Sequence, residues 1–283
     1  MTTRVHPHRL TRSLGAAVAA LALAAPAASA HHPRSDAVAV AVWNANAGKA
    51  AVAARISPVG PSPAEARIYA MTHIAIHDAL NAIDRRSRPY AYHGRARRHA
   101  SLDAAVATAA RDVLVRTLGQ RVWLGPEVRA DAAVASVEAD YVAALDAIRD
   151  GRAKTRGVAV GRAAAKAILA LRATDDVDEL LVGDPDYEEG TEPGEYRFTP
   201  GTPFAFGPRF GELEPFVLRD GSQFRPGPPH AVTDPRYTAE FNEIKRLGGD
   251  GATTPSARTS DQTEIALFWF CLLYTSPSPR DRS

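Results

Sequence analysis

The sequence predicts an all-α protein, a helical bundle that carries one long irregular segment rich in Gly, Pro and aromatic residues. Three observations point there. Several Ala-rich stretches before residue 173 place apolar residues at three- and four-residue steps, which is the period of one buried helical face. Residues that start and stop helices punctuate those stretches. Strand signal is sparse, and many helices with little strand pack helix on helix.

Residues 36–54 are the first expected helix, with Asp36 as its N-cap. Two prolines and a glycine within 56–61 end it. Ser62-Pro63-Ala64-Glu65 then opens a second helix. Ser62 caps, Pro63 suits the first helical position, and Glu65 completes a capping box. This helix runs to Ile83, with Ile68, Met71, Ala75, Ala79 and Ile83 as its buried stripe. Residues 85–99 form a basic, aromatic loop. The third helix covers 101–118, with Ala105, Val106, Ala109, Val113 and Leu118 apolar. The fourth covers 126–149 on Val134, Val137, Tyr141, Leu145 and Ile148, and Asp150-Gly151 is its stop signal. The fifth covers 152–171. Gly157 and Gly161 share one face of it and allow a close helix approach. Gly161-Arg162-Ala163-Ala164-Ala165-Lys166 lacks the second glycine of a phosphate loop.

Composition changes after Ala173. Residues 175–179 are acidic, and 183–229 are dense in Gly, Pro and aromatics without a helical period. That stretch holds too much Phe and Tyr for a disordered linker. It is expected to lie ordered over the helices, with one or two short strands. A sixth helix covers 235–247, begun at Asp234-Pro235 and ended at Gly248-Gly249. Thr259-Ser260-Asp261-Gln262 opens a seventh, whose apolar face holds Ile265, Ala266, Phe268 and Trp269.

Both ends carry segments foreign to a fold. Arg4, Arg9 and Arg12 precede the short apolar run 14–25 and the Ala28-Ser29-Ala30 cleavage pattern. Residues 1–30 therefore read as a secretory signal peptide, and the protein is expected to be exported, with His31 as its mature N-terminus. The run is too short to span a bilayer, and no later stretch is apolar enough to do so. At the other end, Cys271-Leu272-Leu273-Tyr274-Thr275-Ser276-Pro277-Ser278-Pro279-Arg280-Asp281 resembles the translation of a transposon-type sequencing-library adapter. Residues 270–283 are read as that adapter, with the native sequence broken off after Trp269. The expected organisation is thus a signal peptide (1–30), an N-terminal helical region (31–173), an irregular segment (174–232), a helical segment (233–269) and the adapter (270–283).

Removing both ends turns 34 basic and 32 acidic residues into 29 and 31, a net charge of −2. No basic stripe supports a nucleic-acid surface. The sole cysteine, Cys271, falls in the adapter run, so the native part offers no disulfide, zinc-thiolate or cysteine nucleophile.

Few residues suggest chemistry. His73 and His77 stand at i and i+4, the spacing of two metal ligands on one helix face. Ile74 occupies the position of a metalloprotease glutamate, and no third ligand is near. They are read as polar-face histidines, with Asp78 as a hydrogen-bond partner. An N-terminal His31 offers amine and imidazole, a copper-chelating pair, on a polar leader. Asp184, Asp186, Glu188, Glu189, Glu192 and Glu195 form an acidic loop without EF-hand glycine spacing, read as solvated. Serine elbows, Rossmann glycines and Walker motifs are absent. No catalytic, cofactor-binding or metal residue is assigned.

Several blocks carry a resemblance. They are Pro208-Arg209-Phe210-Gly211, Pro215-Phe216-Val217-Leu218, Ser222-Gln223-Phe224-Arg225-Pro226-Gly227-Pro228-Pro229, the run Glu240-Phe241-Asn242-Glu243-Ile244-Lys245-Arg246-Leu247-Gly248, and the run from Arg258 to Trp269. In order and spacing they resemble bacterial vanadium-dependent haloperoxidases of the chloroperoxidase-like branch, in the type 2 phosphatidic-acid-phosphatase superfamily. Ala70-Met71-Thr72-His73 and His77-Asp78-Ala79-Leu80-Asn81-Ala82-Ile83 resemble that family's early helix. The resemblance implies the N-terminal half of a helical enzyme whose vanadate is held by Lys, Arg, Ser, Gly and His, with peroxide and halide as small-molecule substrates. Acid phosphatase is the alternative on the same scaffold, and a non-catalytic helical binding or scaffold protein is the alternative from another class. The family's ligand motifs do not occur here, so this chain alone is expected to bind no vanadate. Arg258 and Lys245 are expected to serve packing or the surface.

Overall fold

A computed structural model describes residues 35–56, 62–97, 99–119, 129–175 and 183–269. The expected signal peptide, His31 and the expected adapter run lie outside the described residues. Among those described, the chain is mostly helical, with seven α-helices and one two-stranded sheet. The helices are α1 (Ser35–Ala53), α2 (Ser62–Ile83), α3 (Leu102–Gly119), α4 (Ala130–Asp146), α5 (Arg152–Leu171), α6 (Pro235–Leu247) and α7 (Ser260–Trp269). Strands β1 (Gly183–Asp184) and β2 (Ala205–Phe206) pair antiparallel, and Phe210–Glu212 makes one 3-10 turn.

Helix α3 is the hub of the bundle and touches α1, α2, α4 and α5. Every residue from Ala104 to Ala110 is buried, as are Val113, Leu114, Thr117 and Leu118. The first half of α3 is buried all round and its alanines let the neighbouring helices approach, while Arg111, Asp112 and Arg116 keep a polar face on its second half. Its two buried threonines cost little, because Thr108 Oγ1 donates to the Ala104 carbonyl and Thr117 Oγ1 to the Val113 carbonyl. Ser101 Oγ accepts from the Ala104 amide and caps the helix.

The glycines of α5 set the closest approach. A Cβ placed on Gly157 would stand 2.4 Å from the Ser101 carbonyl oxygen, and one on Gly161 would stand 2.4 Å from that of Ala105. Two bare turns of α5 thus lie directly on the backbone of α3, as the spacing of the pair suggested.

A buried charged knot ties the bundle to the segment beyond it. Asp175 accepts from Arg67 Nε of α2 at 2.9 Å and from Arg172 Nε at 2.8 Å. Arg67 also donates to the Arg172 carbonyl, and Arg172 to the Glu214 carbonyl. The Arg172 guanidinium lies 4.2 Å from the centre of the Phe216 ring. Two guanidiniums with little exposure thereby share one carboxylate and spend further donors on fixed carbonyls.

Three expectations need correction. Helix α1 begins at Ser35, one residue ahead of the expected cap Asp36. Helix α4 ends at Asp146, not 149, and its start is Ala130, with 120–128 outside the described residues. Asp150-Gly151 serves the next helix instead. Gly151, at φ 143°, precedes α5 and its carbonyl takes the Thr155 amide, while Asp150 pairs with Lys154 one turn on. The irregular segment covers the bundle only in part. Phe210, Leu213 and Phe216 pack on the core, and Tyr90 Oη donates to the Phe216 carbonyl at 2.6 Å. Tyr196 instead packs edge to face against both Tyr187 and Phe198. For Ser62, the expected cap of α2, the side chain lies outside the described residues.

Candidate functional site

The C-terminal end of α2 and the loop after it hold the most developed polar constellation among the described residues. Asp78 is 1 % exposed, yet its carboxylate takes three consecutive backbone amides. Tyr90 donates to Oδ1 at 2.8 Å, and Ala91 and Tyr92 donate to Oδ2 at 2.6 and 2.7 Å. These bonds explain how a carboxylate sits in the core, because each replaces water that burial removed.

His77 precedes Asp78 and remains partly exposed. Its Nδ1 is 3.0 Å from Asp78 Oδ1, and its Nε2 is 2.8 Å from Ser87 Oγ. An ionised carboxylate only accepts, so Nδ1 carries a hydrogen, and in the neutral imidazole Nε2 is left as the acceptor. In that state the Ser87 hydroxyl is within donating distance of Nε2. The other acceptor in reach, Asn81 Oδ1, is farther away at 3.3 Å. Asn81 Oδ1 also takes the amides of Arg86 and Ser87, both at 3.0 Å, which fixes which end of its amide faces the loop. Its Nδ2 has no acceptor among the described residues. A cavity of about 190 Å³ adjoins these groups, with Leu80 and Leu102 as apolar walls and the Asp84–Arg86 ion pair, 2.7 Å long, at its edge.

The i, i+4 histidines do not converge. His73 Nε2 lies 2.9 Å from Asn44 Oδ1 on α1, while His77 turns to Asp78 and Ser87. Among the described residues no group of three His, Cys, Asp or Glu side chains is placed to hold a metal ion. The hydrogen bond between His77 and Asp78 is the one foreseen from their adjacency. Ser87 was not foreseen, because it follows His77 by ten residues across a turn and no spacing rule links them.

The other singled-out groups are engaged elsewhere. Asp184 Oδ1 accepts from the Asp186 amide, and Glu195 Oε2 from the amides of Thr191 and Glu192. The Glu189 carboxylate takes the Phe198 amide. These carboxylates fold their own loop. Arg258 donates to the Leu247 carbonyl at 2.6 Å and the Gly249 carbonyl at 2.8 Å, and Lys245 is exposed on α6. On α2, Tyr69 Oη donates to Glu65 Oε1, and burial first and that carboxylate second hold the phenol well above its usual range. No helix of the described residues is long and apolar enough to cross a membrane.

No family model, curated protein or solved structure matches this chain.

Proposed function

We propose that this chain is the N-terminal helical part of an exported, vanadium-dependent haloperoxidase-like enzyme, and that it oxidises no halide by itself. The observation that carries this reading is the ordered series of blocks between Pro208 and Trp269, whose order and spacing resemble that family. A physical feature supports it. Helices α6 and α7 bury no residue, and Ile244 and Trp269 are 72 % and 75 % exposed. Phe241, Ile265 and Phe268 are exposed beside them in sequence. Apolar side chains at that density are suited to cover by further protein.

The residues described here do not fit vanadate. An oxyanion of that charge needs several cationic and hydrogen-bonding groups aimed at one point. The Arg258 guanidinium is spent on two backbone carbonyls, and the His77 imidazole is spent on Asp78 and Ser87. No step of halide oxidation is therefore assigned to these side chains.

The test compares the chain with a version extended by the genomic sequence that follows the Trp269 codon. With vanadate, peroxide and bromide or chloride, the extended protein is expected to form hypohalous acid and the present chain none. Hydrolysis of p-nitrophenyl phosphate without halide oxidation moves the extended protein to the acid-phosphatase branch. A gene that stops soon after Trp269 supports a non-catalytic helical scaffold.

A further inference from the structure

We propose that Ser87, His77 and Asp78 form a nucleophile–base–orienter relay that transfers a short acyl group from a carboxylic ester. The geometry has the three parts such a relay needs. The nucleophile reaches its base at 2.8 Å, and the base reaches a buried carboxylate at 3.0 Å. That carboxylate is immobilised by three amides of the loop, so the imidazole it orients is held in one tautomer. The relay is independent of the haloperoxidase-like reading, and either can fail alone.

The surroundings name the substrate class. The cavity beside Ser87 measures about 190 Å³ and has Leu80 and Leu102 in its walls, which suits a short apolar acyl chain. Asn81 lines the same cavity, and its Nδ2 hydrogens are the donors available to an oxyanion. The backbone amides of Arg86 and Ser87 are already bonded to Asn81 Oδ1 and add nothing there. With one donor residue in place of the usual pair, the relay is a slow one.

Ser87 Oγ forms a bond to the ester carbonyl carbon while its proton passes to His77 Nε2. The carbon–oxygen bond to the alcohol breaks, and His77 returns that proton to the departing alkoxide. Water then attacks the acyl-serine, again losing a proton to His77 Nε2, which hands it to Ser87 Oγ as that bond breaks. One ester and one water give one carboxylic acid and one alcohol.

The experiment uses the full chain with a fluorophosphonate probe and p-nitrophenyl acetate. The expected result is a single adduct placed on Ser87 by peptide mass spectrometry. Hydrolysis should fall about 100-fold in Ser87→Ala and in His77→Phe, with the melting temperature unchanged. An adduct on another serine, or Ser87→Ala hydrolysing as fast as the parent, overturns the proposal. A second measurement needs no turnover. In Ser87→Cys, iodoacetamide should alkylate residue 87 about tenfold faster than in Ser87→Cys/His77→Phe, because the neighbouring imidazole favours the thiolate. Equal alkylation rates overturn the relay whatever the ester assay shows.

Discussion

The first five helices and the chain beyond residue 183 are held together by different forces. In the bundle, α3 is surrounded, α5 lies on its backbone through two glycines, and three side chains bury their charges in one knot. Beyond residue 183, α6 and α7 bury nothing and depend on local chemistry. Asp234 caps α6 through the Arg236 amide. Thr259 and Gln262 exchange side-chain and backbone bonds at the start of α7, a reciprocal capping box. The contrast separates two routes to a helix. One is burial, which propensity hardly influences. The other is end chemistry, which holds a short helix without a core but contributes little elsewhere.

The contrast can be broken most severely at Asp175. Asp175→Ala leaves Arg67 and Arg172 buried without their counter-charge and should cost about 3–5 kcal/mol, read as a large fall in the denaturation midpoint. Gly161→Ala comes next. The new methyl meets the Ala105 carbonyl, so α3 and α5 must part, at about 1–3 kcal/mol by the same measurement. Thr259→Ala should cost about 1 kcal/mol and only locally. Amides of 260–269 should exchange faster while the bundle melts where it did before, and a shifted bundle midpoint would erase the distinction between the two regions. Lys49→Ala removes an exposed pair with Asp140 on α4 and should change stability by less than about 0.5 kcal/mol. The mildest effect is with pH. Hydrogen bonds from the Thr253 hydroxyl and then from the amides of 252–254 hold the Asp250 carboxyl well below the usual carboxylate range. Its contribution is present above the unfolded value of about 3.9 and lost only as pH falls through the lower folded value. The 250–254 turn should therefore stay closed at pH 4, as judged by its amide chemical shifts, and open only in stronger acid.

What could be read in the sequence follows the same division. Helix α5 and helix α6 were legible to the residue, because Gly and Pro punctuation is written locally. The close approach at Gly157 and Gly161 was legible from their spacing, although nothing local named α3 as the partner. Asp150-Gly151 misled because one dipeptide can end a helix or begin the next, and the Asp150–Lys154 pair decided for the second. Of the candidate site, the His77–Asp78 contact was legible from adjacency. Its other half, Ser87 and the amides of residues 90–92, comes from a loop that folds back over the helix end, which depends on burial at Asp78 and leaves no periodic trace.

Asp78 also sets a clock. The amides of Tyr90, Ala91 and Tyr92 lie outside any helix or strand, and one carboxylate accepts all three. They have no independent way to open. In heavy water they should therefore trade their hydrogens in concert, at a single rate set by how often that carboxylate lets go. Three consecutive probes then time one event, the lifting of the loop from the end of α2.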